Sequence, residues 1–267
     1  MKLTRYQLSD RGTGVSFRAA VVADLHDRPC KKLLPLLREQ KPDLILIPGD
    51  LCERLDEERL RDETLPRPNR PGLELLSEFS AIAPTFYSFG NHEISACHST
   101  IYRAKIAQKP LPKPAIAREW LDKIEASGVT LLRQNFVSWN GLCIGGLGSG
   151  LLNPAWKPDL DFLDDFTAAD GYKLLLCHHP EYFDRYLRPY PIDLVVSGHA
   201  HGGQWRIFGR GVYAPDQHLF PKYTSGVHEE RLVISRGVVN SVPAVPRFFN
   251  PCELVMIEVG KTDKNVI

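Results

Sequence analysis

Residues 43–50 read DLILIPGD. The aliphatic run between Asp43 and Pro48 is too short for a helix and suits a strand buried on both faces. Gly49 ends it, and Asp50 follows at its carboxyl end. The same construction recurs outward in both directions. Upstream, FRAAVVA (Phe17–Ala23) runs into Asp24. Downstream, TFYSF (Thr85–Phe89) runs into Gly90-Asn91, LLLC (Leu174–Cys177) into His178, and DLVVS (Asp193–Ser197) into Gly198-His199. Between these strands lie amphipathic stretches expected to be helical: Lys31–Lys41, with Pro35 near its start, then Leu73–Ile82, Ile116–Ser127 and Glu181–Leu187. The later part, Val137–Leu147 and Gln204–Ala214 with Arg231–Ser235 and Glu253–Val259, reads as more strand-rich and turn-punctuated. Strand–helix alternation followed by extra strands predicts an α/β protein whose sheets are covered by helices on the outside.

The remaining composition is that of an ordinary globular chain. Of 267 residues, 43% are hydrophobic and 24% charged, and the net charge of +1 gives no general attraction to nucleic acid. No apolar run approaches the length needed to span a bilayer, and Met1–Asp10 has no apolar stretch of the signal-peptide kind. The six cysteines are scattered without a C-x-x-C pair, which predicts free thiols and a cytoplasmic setting. One domain over residues 1–267 is expected, with surface insertions at 53–72, dense in charge and proline, and at 98–114, basic and proline-bearing.

The strand ends carry the chemistry. They bring Asp24-Leu25-His26, Gly49-Asp50, Gly90-Asn91-His92-Glu93, His178-His179-Pro180 and Gly198-His199-Ala200-His201 to where sites collect in α/β folds. Carboxylates, an amide oxygen and several imidazoles together suit borderline divalent ions (Mn, Fe or Zn) and argue against an all-oxygen calcium site.

This ordered set, D-x-H, GD-x-x-[DE], GNH[DE], H-x-P and G-H-x-H, resembles the signature of the calcineurin-like metallophosphoesterases from Asp24 to about Pro251. The later segments GHAHGGQW, FPKYTSG and PRFFNP look like a bacterial branch of that superfamily. Some relatives there hydrolyse the pyrophosphate of UDP-diacylglucosamine, and many carry an N-terminal membrane or export segment, which this sequence does not display. The resemblance implies a four-layer αββα sandwich and two divalent metal ions, with Mn the preferred guess. It assigns Asp24, His26 and His201 to one ion, Asn91, His178 and His199 to the other, and Asp50 to both. Paired ions about 3.5–4 Å apart clamp the attacking and leaving oxygens of an in-line displacement, and a hydroxide held between them would attack phosphorus.

In the same pattern His92 faces the substrate phosphate as an acid–base group. Glu53 stands where an orienting carboxylate is expected, and Arg54 where a bidentate phosphate ligand is expected. Both also read as solvated loop charges. His179 reads as a residue behind the ligands or on the surface, and Asp27 as a turn or helix-start residue. The Gly145–Gly150 run reads as a tight loop near the site floor. Trp205, Phe220, Tyr223, Phe248 and Phe249 are candidates for an apolar pocket or for core.

Three readings stand at this point: a hydrolase of a phosphate ester, diester or pyrophosphate; a nuclease of the same superfamily, disfavoured by the near-neutral charge; and a non-catalytic interaction protein on the same fold. The expected partner is a phosphorylated small molecule or lipid head group, with no specific nucleic acid. Transient contact with a membrane surface through the basic Arg103–Lys113 stretch is compatible with the sequence. The oligomeric state is unknown at this stage.

Overall fold

The computed structural model describes residues 1–54, 70–97, 118–149, 158–241 and 245–261. Most of the first expected insertion and all of the second, including Arg103, Lys105, Lys109 and Lys113, lie outside the described residues.

Two six-stranded sheets face each other. The first has β1 (Lys2–Ser9), β16 (Glu253–Gly260), β2 (Phe17–Val21), β3 (Leu44–Ile47), β4 (Thr85–Ser88) and β5 (Thr130–Leu132) in spatial order. The second has β14 (Gly226–His228), β15 (Leu232–Ile234), β9 (Leu194–Ser197), β8 (Tyr172–Cys177), β7 (Leu142–Leu147) and β6 (Asn135–Trp139). In the first sheet β2 to β5 run parallel; in the second, β15, β9, β8 and β7 do. Each set therefore delivers its carboxyl ends to one edge.

The period-two rule of strands divides the aliphatic residues between layers. Ala19, Val21, Leu44 and Leu46 meet Ile144, Leu174, Leu176 and Val196 between the sheets. Their sequence neighbours Ala20, Val22, Ile45 and Ile47 face the other way, against α1 (Leu33–Gln40), α2 (Pro71–Ser80) and α4 (Arg118–Ala126). Helical spacing supplies the matching stripes: Leu33 and Leu37, then Leu73, Leu76 and Phe79, then Trp120 and Ile124. Behind the second sheet, Leu175 and Cys177 pack on Leu163 and Phe166 of α5 (Leu163–Ala168) and on Phe183 and Leu187. Three apolar layers between four structural layers make the αββα sandwich. Each buried Leu, Ile or Phe in it contributes roughly 1.5–3 kcal/mol of transfer free energy.

The turn-punctuated later part resolves into short strands. Val137–Leu147 is a hairpin: Asn140 and Gly141 both have positive φ (47° and 78°) and turn β6 into β7. Gln204–Ala214 breaks into β10 (Arg206–Ile207), β11 (Arg210–Gly211) and β12 (Tyr213–Ala214), the last pairing with β13 (His218–Leu219). Glu181–Leu187 supplies only a π-helical turn at Phe183–Leu187. Gly145 and Gly146 lie inside β7 rather than in a loop. A Cβ on Gly146 would collide with Leu132, so the glycine permits close approach where the chain passes from one sheet to the other.

Candidate metal centre

The site forms where the parallel strands stop. Asp24 and His26 follow β2, Asp50 follows β3, and Asn91 opens α3 (Asn91–Cys97) just after β4. His178 follows β8, and His199 and His201 follow β9. Five of these residues, Asp24, His26, Asp50, His199 and His201, have left-handed backbones with φ between 47° and 67°. Such conformations cost of order 1–3 kcal/mol each in non-glycine residues and persist where the surroundings impose them, commonly at functional sites. The turns need glycine beside them: a Cβ on Gly90 would strike the Asp50 carboxylate.

Six of the seven expected ligands fall into two donor groups. Asp24, His26 and His201 each offer one donor atom within 4.8 Å of the others, and so do Asp50, His178 and His199. His178 Nε2 lies 3.1 Å and His26 Nε2 3.8 Å from Asp50 Oδ2, so Asp50 borders both groups. His201 Nε2 lies 3.8 Å from Asp24 Oδ1. Asn91 presents a buried Oδ1.

The donor set fits divalent cations. Asp24 Oδ2, Asn91 Oδ1, both ring nitrogens of His26 and Nδ1 of His178 are buried without a hydrogen-bond partner, a cluster that ordinary folding does not leave unexplained. Burial holds His26 and His178 down to about 4 and His201 well below the usual imidazole range. Neutral rings with open lone pairs are the ligating form. Burial would also raise Asp50, but His178 and His92 beside it hold its carboxyl well below the usual range. Burial, and then the charge of Asp50, push Asp24 up to about 7. Two carboxylates in one dry cleft repel until cations neutralise them.

His92 is adjacent but differently placed. Its Nε2 is 3.8 Å from Asp50 Oδ2, and its Nδ1 is 2.6 Å from Glu53 Oε1. Burial would lower its pKa, but Asp50 and the Glu53 hydrogen bond raise it to about 9. Glu53 is itself fixed through its backbone: its N–H donates to Asp27 Oδ2 at 2.9 Å, and its carbonyl accepts from Arg70 Nη1 at 2.7 Å. Asp27 thus acts as a clamp joining Glu53, Arg70 and Gly72. Arg54 is exposed, and its backbone N–H donates to Glu53 Oε1 at 2.9 Å. His179 is buried, with Nδ1 3.1 Å from Glu181 Oε1. Cys52 and Cys177 are buried in the outer apolar layers.

Sequence reasoning missed three supports. Fully buried Glu93 accepts backbone N–H bonds from Asp50, Cys52 and Gly90 at 2.8–2.9 Å and ties the β3 turn to the β4 turn. Its place in GNHE was the available signal. Asp216 Oδ2 lies 3.0 Å from His199 Nε2, and Arg247 Nη2 3.3 Å from His201 Nδ1. Asp216 sits in no motif of the ligand set, and Arg247 lies in the PRFFNP segment, for which no role was read.

Comparison with known proteins places the chain in a family. An uncharacterised metallophosphoesterase of Campylobacter jejuni is 27% identical over 88% of this chain and 55% of its own length. A putative metallophosphoesterase of Caenorhabditis elegans is 25% identical over 89% of this chain and 47% of its own. The chain thus spans about half the length of these two relatives. The phosphodiesterase YaeI of Escherichia coli is 28% identical over 89% of this chain and 81% of its own. The profile of the calcineurin-like phosphoesterases matches residues 17–203, from the strand ahead of Asp24 through the turn that carries His201. The chain belongs to the calcineurin-like phosphoesterase family.

Proposed function

We propose that this chain is a dinuclear metal-dependent hydrolase of phosphoric esters. The observation that carries the reading is the pair of three-donor groups bordered by one buried, ionised carboxylate, Asp50, with His92 beside it. Asp24, His26 and His201 would hold one ion, Asn91, His178 and His199 the other, and Asp50 both. Bound divalent ions supply Lewis-acid stabilisation of phosphoryl charge and a water acidic enough to react near neutral pH. Mixed oxygen and nitrogen donors without a thiolate suit Mn, Fe or Zn, and Mn is the ion we propose first.

His92 supplies the proton. Its Nε2, 3.8 Å from Asp50 Oδ2, would donate to the leaving oxygen, while Glu53, 2.6 Å from Nδ1, keeps the ring oriented. Arg54, exposed beside Glu53, would take a phosphate oxygen. His92→Asn is expected to retain both ions and to lower kcat by about 10²–10⁴-fold. Elemental analysis beside Mn-stimulated hydrolysis of an aryl phosphate ester checks this. Loss of metal comparable to that of His201→Ala would make His92 a ligand instead.

The substrate class we propose is a phosphorylated molecule with an apolar portion, a lipid head group at a membrane surface. Ile207, Phe208, Leu219, Phe220, Phe248 and Phe249 are all exposed, Phe208 completely, and they begin within a few residues of His201. Exposed Arg210 and Lys222 lie among them in sequence. Exposed apolar residues with basic Arg210 among them suit an anionic interface, where a basic residue adds roughly 1 kcal/mol at low salt; Lys222 is paired with Asp184 at 2.7 Å. None of the described helices is long and apolar enough to cross a membrane. The attachment we propose is peripheral, on the cytoplasmic side of a membrane. Co-sedimentation with phosphatidylglycerol vesicles at low salt is expected, weakened by high salt and by Phe208→Glu with Phe249→Glu. Absence of low-salt binding, together with efficient turnover of a water-soluble diester, would contradict the membrane assignment.

A further inference from the structure

We propose that Asp216 is the positioning carboxylate of the metal ligand His199, acting from the turn between β12 and β13. The inference rests on the dinuclear reading and concerns a residue outside every motif of the seven-ligand set.

The geometry is specific. His199 Nε2 and Asp216 Oδ2 are 3.0 Å apart, and His199 is almost wholly buried. An imidazole that donates Nε2–H to a carboxylate carries its lone pair on Nδ1, so the Asp216 contact selects the tautomer in which Nδ1 is free to ligate. The ring is held from its flanks as well. His179 packs against it at 4.2 Å between centroids, and His178 at 5.0 Å. His179 is in turn oriented by Glu181 at 3.1 Å, so each of the two histidines has its own carboxylate.

Asp216 is held in position despite being about one-third exposed. Its backbone is left-handed, with φ 59°, and its carbonyl accepts from Arg185 Nη2 at 3.3 Å. The next residue, Gln217, pins the turn by a two-way bond to the Tyr223 backbone at 2.7 and 2.9 Å. The turn is therefore anchored on the body of the protein, and the carboxylate reaches His199 from a fixed base. Orienting carboxylates of this kind raise ligand basicity and fix ring direction, and their removal typically lowers metal affinity about 10–100-fold.

The same four side chains, His179, Glu181, His199 and Asp216, also have a donor atom each within 4.8 Å of one another, the arrangement of a further cation site. The short pairing of each histidine with one carboxylate favours two hydrogen bonds over that alternative, since His179 Nδ1 is 3.7 Å from Asp216 Oδ2.

Calorimetric titration of metal-free protein with Mn²⁺ alone tests the proposal, with the melting temperature of each metal-free variant measured in parallel. Wild type is expected to bind two ions. Asp216→Ala should still bind two, one of them about 10–100-fold more weakly. Asp216→Asn, whose amide oxygen still accepts from Nε2 without the charge, should lie between. Metal-free melting should be nearly unchanged, because the carboxylate is partly solvated; a merely structural role would lower melting and leave the affinities alone. Unaltered affinities in both variants would overturn the proposal. So would a third ion bound by wild type and lost in Asp216→Ala, which would make Asp216 a ligand. Wild type binding no Mn²⁺ would instead remove the dinuclear reading on which the proposal stands.

Discussion

Asp50→Asn is expected to bind neither ion tightly and to lose hydrolysis by on the order of 10³-fold or more, the largest effect of any single substitution at the site. The amide is nearly isosteric, and its oxygen can still accept the His92 backbone N–H that Asp50 Oδ1 takes at 2.9 Å. The fold of the turn should therefore survive. What disappears is the charge and the second carboxylate oxygen, which sits 3.1 Å from His178 Nε2 and 3.8 Å from both His26 and His92. One residue borders both donor groups, so one substitution should empty both. Asp24→Asn borders a single group and should spare the other ion. Equal retention of both ions in Asp50→Asn, by elemental analysis after gel filtration, would show that the bridging assignment is wrong.

Glu93→Gln is expected to be the most destabilising conservative change. Oε2 accepts from the Asp50 and Gly90 amides and Oε1 from the Cys52 amide, with no exposed surface on the side chain. A glutamine oxygen can serve one side of this arrangement, but its NH₂ must then face a backbone N–H on the other. Burial and the charge of Asp50 already push the Glu93 carboxyl up to about 7, and the three amides oppose that rise. Losing charge-assisted bonds and orphaning a buried donor together remove about 3 kcal/mol. For a chain of this size that lowers Tm by about 6–12 °C. Metal affinity should fall too, because the bond to Asp50 N–H fixes the turn that aims the carboxylate. A melting curve within about 2 °C of wild type would mean that the three amides find other partners.

The strand ends that carry the candidate ligands were legible because two local signals coincide in each, while the assignment of those residues as ligands came from the family resemblance. An apolar run of strand length, closed by Gly or a polar residue, marks the carboxyl end of a parallel strand, and the residue type at that end matches metal chemistry. The five runs before Asp24, Asp50, Asn91, His178 and His199 needed no long-range information. β1 was illegible because its Lys2–Ser9 sequence is mixed, and its order comes from pairing with β16 at the far end of the chain. The β6–β7 hairpin was legible in principle: Asn140-Gly141 is a turn signal between two apolar runs. The aromatic residues after Gln204 read as pocket or core, and of them only Tyr223 is buried, whereas Trp205, Phe220, Phe248 and Phe249 are exposed. Asp216 and Arg247 were out of reach, since they meet His199 and His201 only through the folding of loops 17 and 46 residues away.

The claim beneath all of this is that the strand-end donors hold two divalent cations. Metal-free protein loaded with Mn²⁺, freed of excess by gel filtration and submitted to elemental analysis, tests it directly. The account predicts two ions per chain, falling to none in Asp50→Asn. No retained metal in the wild-type protein would contradict it.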